Sequence, residues 1–219
     1  MSWAPDQPPE PAELRELPQL CELLGAVADA MAATGGEAAP VVLIDGPSGA
    51  GKSSLADLLV RHWPGADTPR LVRMDDLYPG WDGLLAASGA LAGDLLEPLA
   101  LAGHGRWRQW DWAGERPAEW HDIAGTAPVV VEGCGTLAAA NVRWAHLAIW
   151  LDADDALRKT RALDRDGATF ASHWDQWQSE FEEYLAREDP RERADLVLDV
   201  TDWPIGSAPR HPSGSTVEP

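Results

Sequence analysis

The chain has 219 residues, enough for one full-sized domain with a buried core and barely enough for two. Its 45% apolar and 24% charged content is that of an ordinary globular protein, and no apolar run approaches the ~18 residues of a membrane span. A formal net charge of -19 repels phosphate backbones, which argues against nucleic acid as a partner but allows a small anion in a local basic pocket.

Residues 1–11 and 205–219 are rich in Pro, Ser and Gly and are expected to be disordered tails around a single domain at 12–204. The start, MSWAPDQPPEPAE, has prolines and acids where a secretory signal needs a basic stretch followed by an apolar one, so a cytoplasmic location is expected. From Ala12 to Ala33 apolar residues recur at three and four, predicting an amphipathic helix closed by Gly35 and Gly36. Val41 to Asp45 is a continuous run ending at glycine, which predicts a strand buried on both faces. A helix from Lys52 to about His62, a strand Leu71 to Met74 and a helical stretch from about Leu84 to Leu101 follow. Next come a strand Trp107 to Trp112, a strand Val129 to Glu132 and a helix near Leu137 to Val142. A strand His146 to Leu151, a helix from about Asp154 to Asp164, a further helix and a last strand Leu196 to Val200 complete the chain. Strands alternating with helices specify right-handed crossovers and an α/β fold of three layers, a parallel sheet with helices on both faces. Cys21 and Cys134 lie far apart without metal-ligand spacing and are expected to be two buried thiols. Twelve tryptophans are unusual, and core filling is the plainest use for them.

Four constellations carry chemistry. Gly46-Pro47-Ser48-Gly49-Ala50-Gly51-Lys52-Ser53 is a complete G-x-x-x-x-G-K-S between a buried strand and a helix, the setting in which backbone amides and a helix N-terminus cradle phosphates. Gly46, Ser48, Gly49, Ala50, Gly51, Lys52, Ser53 and Ser54 are therefore candidate nucleotide-binding residues. Lys52 supplies charge to the outer phosphates and Ser53 a hydroxyl to Mg2+. Asp75 and Asp76 end the next strand, where a carboxylate can take a hydroxyl proton and reach the metal through water, or cap the segment that follows. Glu132 ends a third strand and suits a magnesium ion, which keeps most of its waters. Arg158, Arg161 and Arg165 share one helical face and can answer phosphoryl charge, or else pair with Asp154, Asp155, Asp164 and Asp166.

On these motifs, in this order from about Val41 to Val200, the chain resembles the uridine kinase-like branch of the P-loop kinases, which includes phosphoribulokinase and pantothenate kinase relatives. GPSGAGKSS resembles the family's P-loop, and Asp75-Asp76-Leu77-Tyr78 resembles its Asp-Ser-Phe-Tyr segment, whose first Asp is the base. Trp110-Asp111-Trp112 resembles its Tyr-Asp-Phe, and Val131-Glu132-Gly133 its Glu-Gly strand end. Leu151-Asp152-Ala153-Asp154 with Arg158, Arg161, Arg165 and Asp166 resembles the strand and arginine-bearing lid. The resemblance implies ATP and Mg2+ as cofactors, Asp75 as base, Lys52, Arg161 and Arg165 as catalytic cations, Arg158 on the nucleotide, and Ser53, Glu132 and Asp75 at the metal. Two departures stand out. Gly167 to Trp174 replaces further lid arginines, which predicts a short lid, and the family's nucleoside-reading Tyr-Asp-His has no counterpart between Gly83 and Gly105. Tyr78, Trp81, Trp110, Asp111, Trp112 and Arg116 are the candidate acceptor-binding residues, a set suited to a flat or partly apolar molecule.

The expected activity is phosphoryl transfer from Mg-ATP to the hydroxyl of a small molecule such as a nucleoside. The alternatives are an antibiotic or secondary-metabolite phosphotransferase and a nucleotide-dependent regulatory NTPase. Monomer and homodimer are both compatible with the sequence.

Overall fold

The computed structural model describes residues 18–36 and 38–203. The expected tails, and the predicted helical residues before Pro18, lie outside the described residues. Helix α1 (Pro18–Ala33) ends at Gly35 and Gly36, both at positive φ, as the glycine pair predicts. Strands β1 (Val41–Asp45), β2 (Arg70–Arg73), β5 (Val129–Glu132), β6 (Leu147–Asp152) and β7 (Leu196–Asp199) form one parallel sheet in the order β2-β5-β1-β6-β7. The register sets Ile44 and Arg73 both beside Glu132, so β1, β2 and β5 end level at one carboxyl edge.

Because side chains alternate along a strand, each buried strand feeds two cores. Leu43, Val129, Val131 and Trp150 belong to one, with Leu84, Leu91 and Leu95 of helix α3 (Leu84–Ala102) and Phe181 and Tyr184 of helix α5 (Asp155–Glu188). Val42, Ile44, Val130 and Ile149 belong to the other, with Leu23 and Val27 of α1 and Leu55 and Leu59 of helix α2 (Lys52–Arg61). Against the expectation that no apolar run approaches a membrane span, helix α3 has that length and apolar composition, but Leu84, Leu91, Leu95, Leu96 and Leu99 are buried in the core while Leu101 is exposed. Its middle turn, Leu91–Leu96, is π-helical.

Two expectations need correction. The predicted strand Trp107 to Trp112 is present as β3 (His104–Asp111), but it stands outside the parallel sheet and pairs antiparallel with β4 (Arg116–Ala124). Strand β4 escaped the sequence because a hairpin exposed on both faces has no apolar period; of its nine residues only Ile123 is buried. The helix predicted to end near Asp164 and the further helix predicted after it follow one another as α5, with a kink at Gly167, whose φ of 65° and ψ of -153° only glycine adopts readily. Finally, Cys134 is buried but Cys21 is exposed, and the two form no disulfide. Between β5 and β6, helix α4 (Ala139–Val142) is a single turn.

Candidate active site

The loop after β1 wraps at the level carboxyl edge and ends with Gly51 in the left-handed region, immediately before Lys52 begins α2. Gly49 also has positive φ, at 82°, and a Cβ there would run into the carbonyl oxygen of Arg158. Only glycine lets the loop lie this close to α5. The Lys52 amino group donates to the carbonyls of Gly46 at 2.7 Å and Pro47 at 3.0 Å and lies 3.6 Å from the Cys134 sulfur. The loop thus holds its own lysine curled at its centre.

Asp45 locks this arrangement from beneath. The carboxylate is fully buried and accepts from the amides of Gly46 at 2.7 Å, Gly135 at 3.2 Å and Leu137 at 2.8 Å, and from the Tyr184 hydroxyl at 2.7 Å. Burial raises its pKa, and the Leu137 amide, the Tyr184 hydroxyl and the Gly46 amide oppose that rise. The P-loop, the segment after β5 and the far half of α5 are tied to one side chain.

Glu132, at the end of β5, is also buried, and Arg73 reaches it at 3.0 Å while holding Asp57 of α2 at 2.7 Å. Burial raises the Glu132 pKa first and the nearby Asp75 charge adds to this, while Lys52, Arg73 and a hydrogen bond with Ser53 work the other way. Ser53, Asp75 and Glu132 therefore gather hard oxygen ligands beside the loop. No group of three or more His, Cys, Asp or Glu fit to hold a metal occurs among the described residues. Magnesium needs no such cage, since one or two protein oxygens with water and phosphate oxygens complete its shell, so the donor set present fits that ion.

Asp75 lies in the 3-10 turn Met74–Asp76 that follows β2. The hairpin is fastened to that turn by Trp112, whose indole N–H donates to the Asp75 carbonyl at 2.8 Å. Tyr78 donates to the Cys134 carbonyl at 2.9 Å, and its ring meets Trp177 of α5 edge-on at 4.8 Å. Trp177 in turn donates to the Ser48 hydroxyl of the P-loop at 2.9 Å.

A cavity of about 790 Å³ opens along this edge. Of the candidate residues it is lined by Ser48, Gly49, Gly51, Lys52 and Ser53 of the loop, by Asp75, Tyr78, Trp81, Trp110 and Trp112 on the far side, and by Glu132 and Arg165. Gly46, Ala50 and Ser54 sit within the loop and first turn of α2 and do not line it. Neither do Arg158 and Arg161. Arg158 is held by Asp155 at 2.7 Å and by Gln178 at 3.3 Å, so for this arginine the ion-pair alternative is realised. Burial lowers the pKa of Arg161. Asp111 and Arg116 are drawn to each other at 3.4 Å across the hairpin turn, where Asp111 also accepts from the Ala113 and Gly114 amides. Asp111 to Gly114 matches the Asp-x-x-Gly pattern of nucleotide switches, but its carboxylate is engaged in closing this turn.

Asp82, Glu115, Cys134, Phe170, His173, Gln176 and Trp177 also line the cavity and were not predicted. Cys134 could have been found, since it follows Glu132-Gly133 directly. The α5 residues could not, because they lie on the further helix expected after Asp164, which carries no motif. The tryptophans divide between uses: Trp150, Trp174 and Trp203 are core, while Trp81, Trp110, Trp112 and Trp177 form cavity wall.

No family model and no curated protein matches the sequence. Among solved structures, one of a possible uridine kinase from Bacillus stearothermophilus is similar over 81% of this chain and 100% of that one, with a TM-score of 0.56 and 18% identity. Another, of a candidate fructose transport system kinase from a Silicibacter species, aligns over 79% of this chain and 98% of that one at 16% identity and a TM-score of 0.49. At such identities the first likeness is one of fold.

Proposed function

From a chain with the fold of the P-loop kinases, we propose a small-molecule kinase that moves the γ-phosphoryl group of Mg-ATP to an acceptor hydroxyl. The observation that carries this reading is the shared cavity: the Gly-rich loop after β1, the Asp75 carboxylate from the turn after β2, two strands away, and an aromatic wall face one space. In the step proposed, the acceptor oxygen bonds to the γ-phosphorus as the bond from that phosphorus to the β-γ bridging oxygen breaks. ADP leaves, and the hydroxyl proton passes to the Asp75 carboxylate. Lys52 leaves its loop carbonyls for the phosphate oxygens, and Arg165 steadies the transferring group from the α5 side. Ser53 and Glu132, with Asp75 through water, would hold magnesium, whose chemistry is to neutralise charge on the phosphate oxygens.

The test is to incubate the full chain with Mg-ATP and a panel of alcohols and to seek a phosphorylated product by mass. Asp75→Asn should retain ATP binding while turnover falls by about 10²- to 10⁴-fold, the usual worth of a general base. Undiminished turnover in that variant refutes the base assignment.

A further inference from the structure

Arg73 has no part in the proposed reaction, yet it touches one of the residues assigned to magnesium, and its use can be argued on the premise that the kinase reading holds. It ends β2 directly beside Glu132 in the sheet register. Its guanidinium forks: Nη1 donates to Glu132 Oε1 at 3.0 Å and Nη2 to Asp57 Oδ1 at 2.7 Å. The two acceptors differ in setting. The Glu132 side chain is 4% exposed and lines the cavity, whereas Asp57 of α2 is 36% exposed and, like Arg73 itself, does not line it. The fork therefore holds Glu132 from outside the cavity and leaves its approach from within open.

Asp57 follows Ser53 by one helical turn, so the two stand on one face of α2. Ser53 lines the cavity and hydrogen-bonds to Glu132. Through one rigid planar group, Arg73 thus joins the helix that carries the proposed hydroxyl ligand to the strand that carries the proposed carboxylate ligand. A carboxylate that binds a metal needs such a partner, because a free Glu side chain keeps several rotamers and only some of them face the ion. A lone arginine would also cancel the charge that draws the cation. Here the second carboxylate prevents that: one guanidinium between two carboxylates leaves one negative charge unanswered, and the Asp75 charge lies close to Glu132 as well. Lys52, the other cation near Glu132, is turned to the loop carbonyls and in the proposed step goes to phosphate.

We propose that Arg73 is a positioning residue for the magnesium site: it fixes the Glu132 carboxylate relative to Ser53, and Asp57 offsets its charge so that Glu132 keeps its attraction for the cation. The test uses Mn2+, which favours the same oxygen ligands as magnesium. Mn2+ is titrated into the full chain holding ADP, with chain in excess, and the free ion is followed by its EPR signal; ADP affinity in EDTA is measured alongside by isothermal titration. Arg73→Met should weaken Mn2+ binding by about 10- to 100-fold, the usual worth of a group that orients a metal ligand. Arg73→Lys keeps the charge but not the two-pronged fork and should fall between that variant and the wild type. Asp57→Asn should weaken Mn2+ severalfold although Asp57 lies outside the cavity, and ADP affinity in EDTA should be unchanged throughout. Mn2+ affinity unaltered in both Arg73 variants, or undiminished in Asp57→Asn, overturns the inference. So does a loss of metal-free ADP affinity as large as the loss of Mn2+ affinity, since that marks a merely structural arginine. A wild type that takes up no ADP loses the kinase reading itself, whereas one that takes up ADP and Mn2+ just as its variants do loses only this inference.

Discussion

The two ends of the cavity, which the proposed function assigns to phosphate and to acceptor, are built in opposite ways. The first is a single stretch, Gly46 to Ser53, whose recognition groups are backbone amides and one lysine, fixed by glycines in conformations other residues resist. The second draws Trp81, the hairpin residues Trp110, Trp112 and Glu115, and α5 residues beyond Gly167 from three separate segments. A phosphate is the same in every substrate and can be met by a local, main-chain device. An acceptor differs from enzyme to enzyme and has to be met by side chains on elements that vary.

The strongest way to break this contrast is Lys52→Ala. If the loop is a self-contained phosphate site, losing its charge should weaken Mg-ATP binding at least about tenfold, given the ~1.5–3 kcal/mol of a charged hydrogen bond. Turnover should fall by about 10²- to 10³-fold. Isothermal titration and steady-state assay check both, and an unchanged ATP affinity would count against the loop as the nucleotide site. The affinity for acceptor should hardly move.

A second test asks whether the loop is supported by anything beyond itself. Tyr184→Phe keeps the buried ring but withdraws the hydroxyl that Asp45 accepts at 2.7 Å, which should destabilise the chain by about 1.5–3 kcal/mol in urea melts. The loss should depend on pH with a definite sign. The folded-state pKa of Asp45 is raised above 3.8, so between that value and the raised one the folded chain binds more protons than the unfolded chain, and stability declines as pH rises. Removing one donor raises the folded pKa further. The variant should therefore be penalised more at about pH 7 than at about pH 4, and an equal penalty at both would mean the carboxylate is not ionised where Tyr184 meets it.

This division also explains what could be read from the sequence. Strands β1, β5 and β6 announced themselves because a strand buried on both faces must be apolar throughout; Lys52 and Ser53 were named from the G-x-x-x-x-G-K-S motif, and Asp75 and Glu132 from their positions at or just beyond strand ends. Asp45 went unnoticed as a functional residue although it occupies a strand end too, because its role is to bind the chain's own amides, which carry no motif. The acceptor wall was half legible. Trp81, Trp110 and Trp112 were named from their neighbourhood, but Asp111 and Arg116, named with them, turn to each other because a tight hairpin puts residues five apart side by side. Phe170, His173 and Trp177 were missed because they sit beyond the Gly167 kink on a stretch that the sequence marks as helical but that carries no motif, while Phe170 and Trp174 pack into the core.

Trp177 offers the finest test, since it touches both ends: its indole N–H holds Ser48 of the loop, and its ring stands against Tyr78 and Trp81. Trp177→Phe keeps an aromatic ring and deletes that one hydrogen bond, worth about 0.5–1.5 kcal/mol. If the two ends were independent, ATP affinity would fall by severalfold with no change in how acceptor and nucleotide influence each other. If Trp177 links them, nucleotide binding that orders Ser48 also fixes the ring against which the acceptor rests, and the wild type should bind acceptor more tightly with Mg-ADP present than without. The reciprocity of coupled binding then demands that the same factor appear when nucleotide is titrated with and without acceptor, and that Trp177→Phe shrink both together. A variant that lowers ATP affinity but leaves this factor intact would show that the cavity's two chemistries meet only in the substrate.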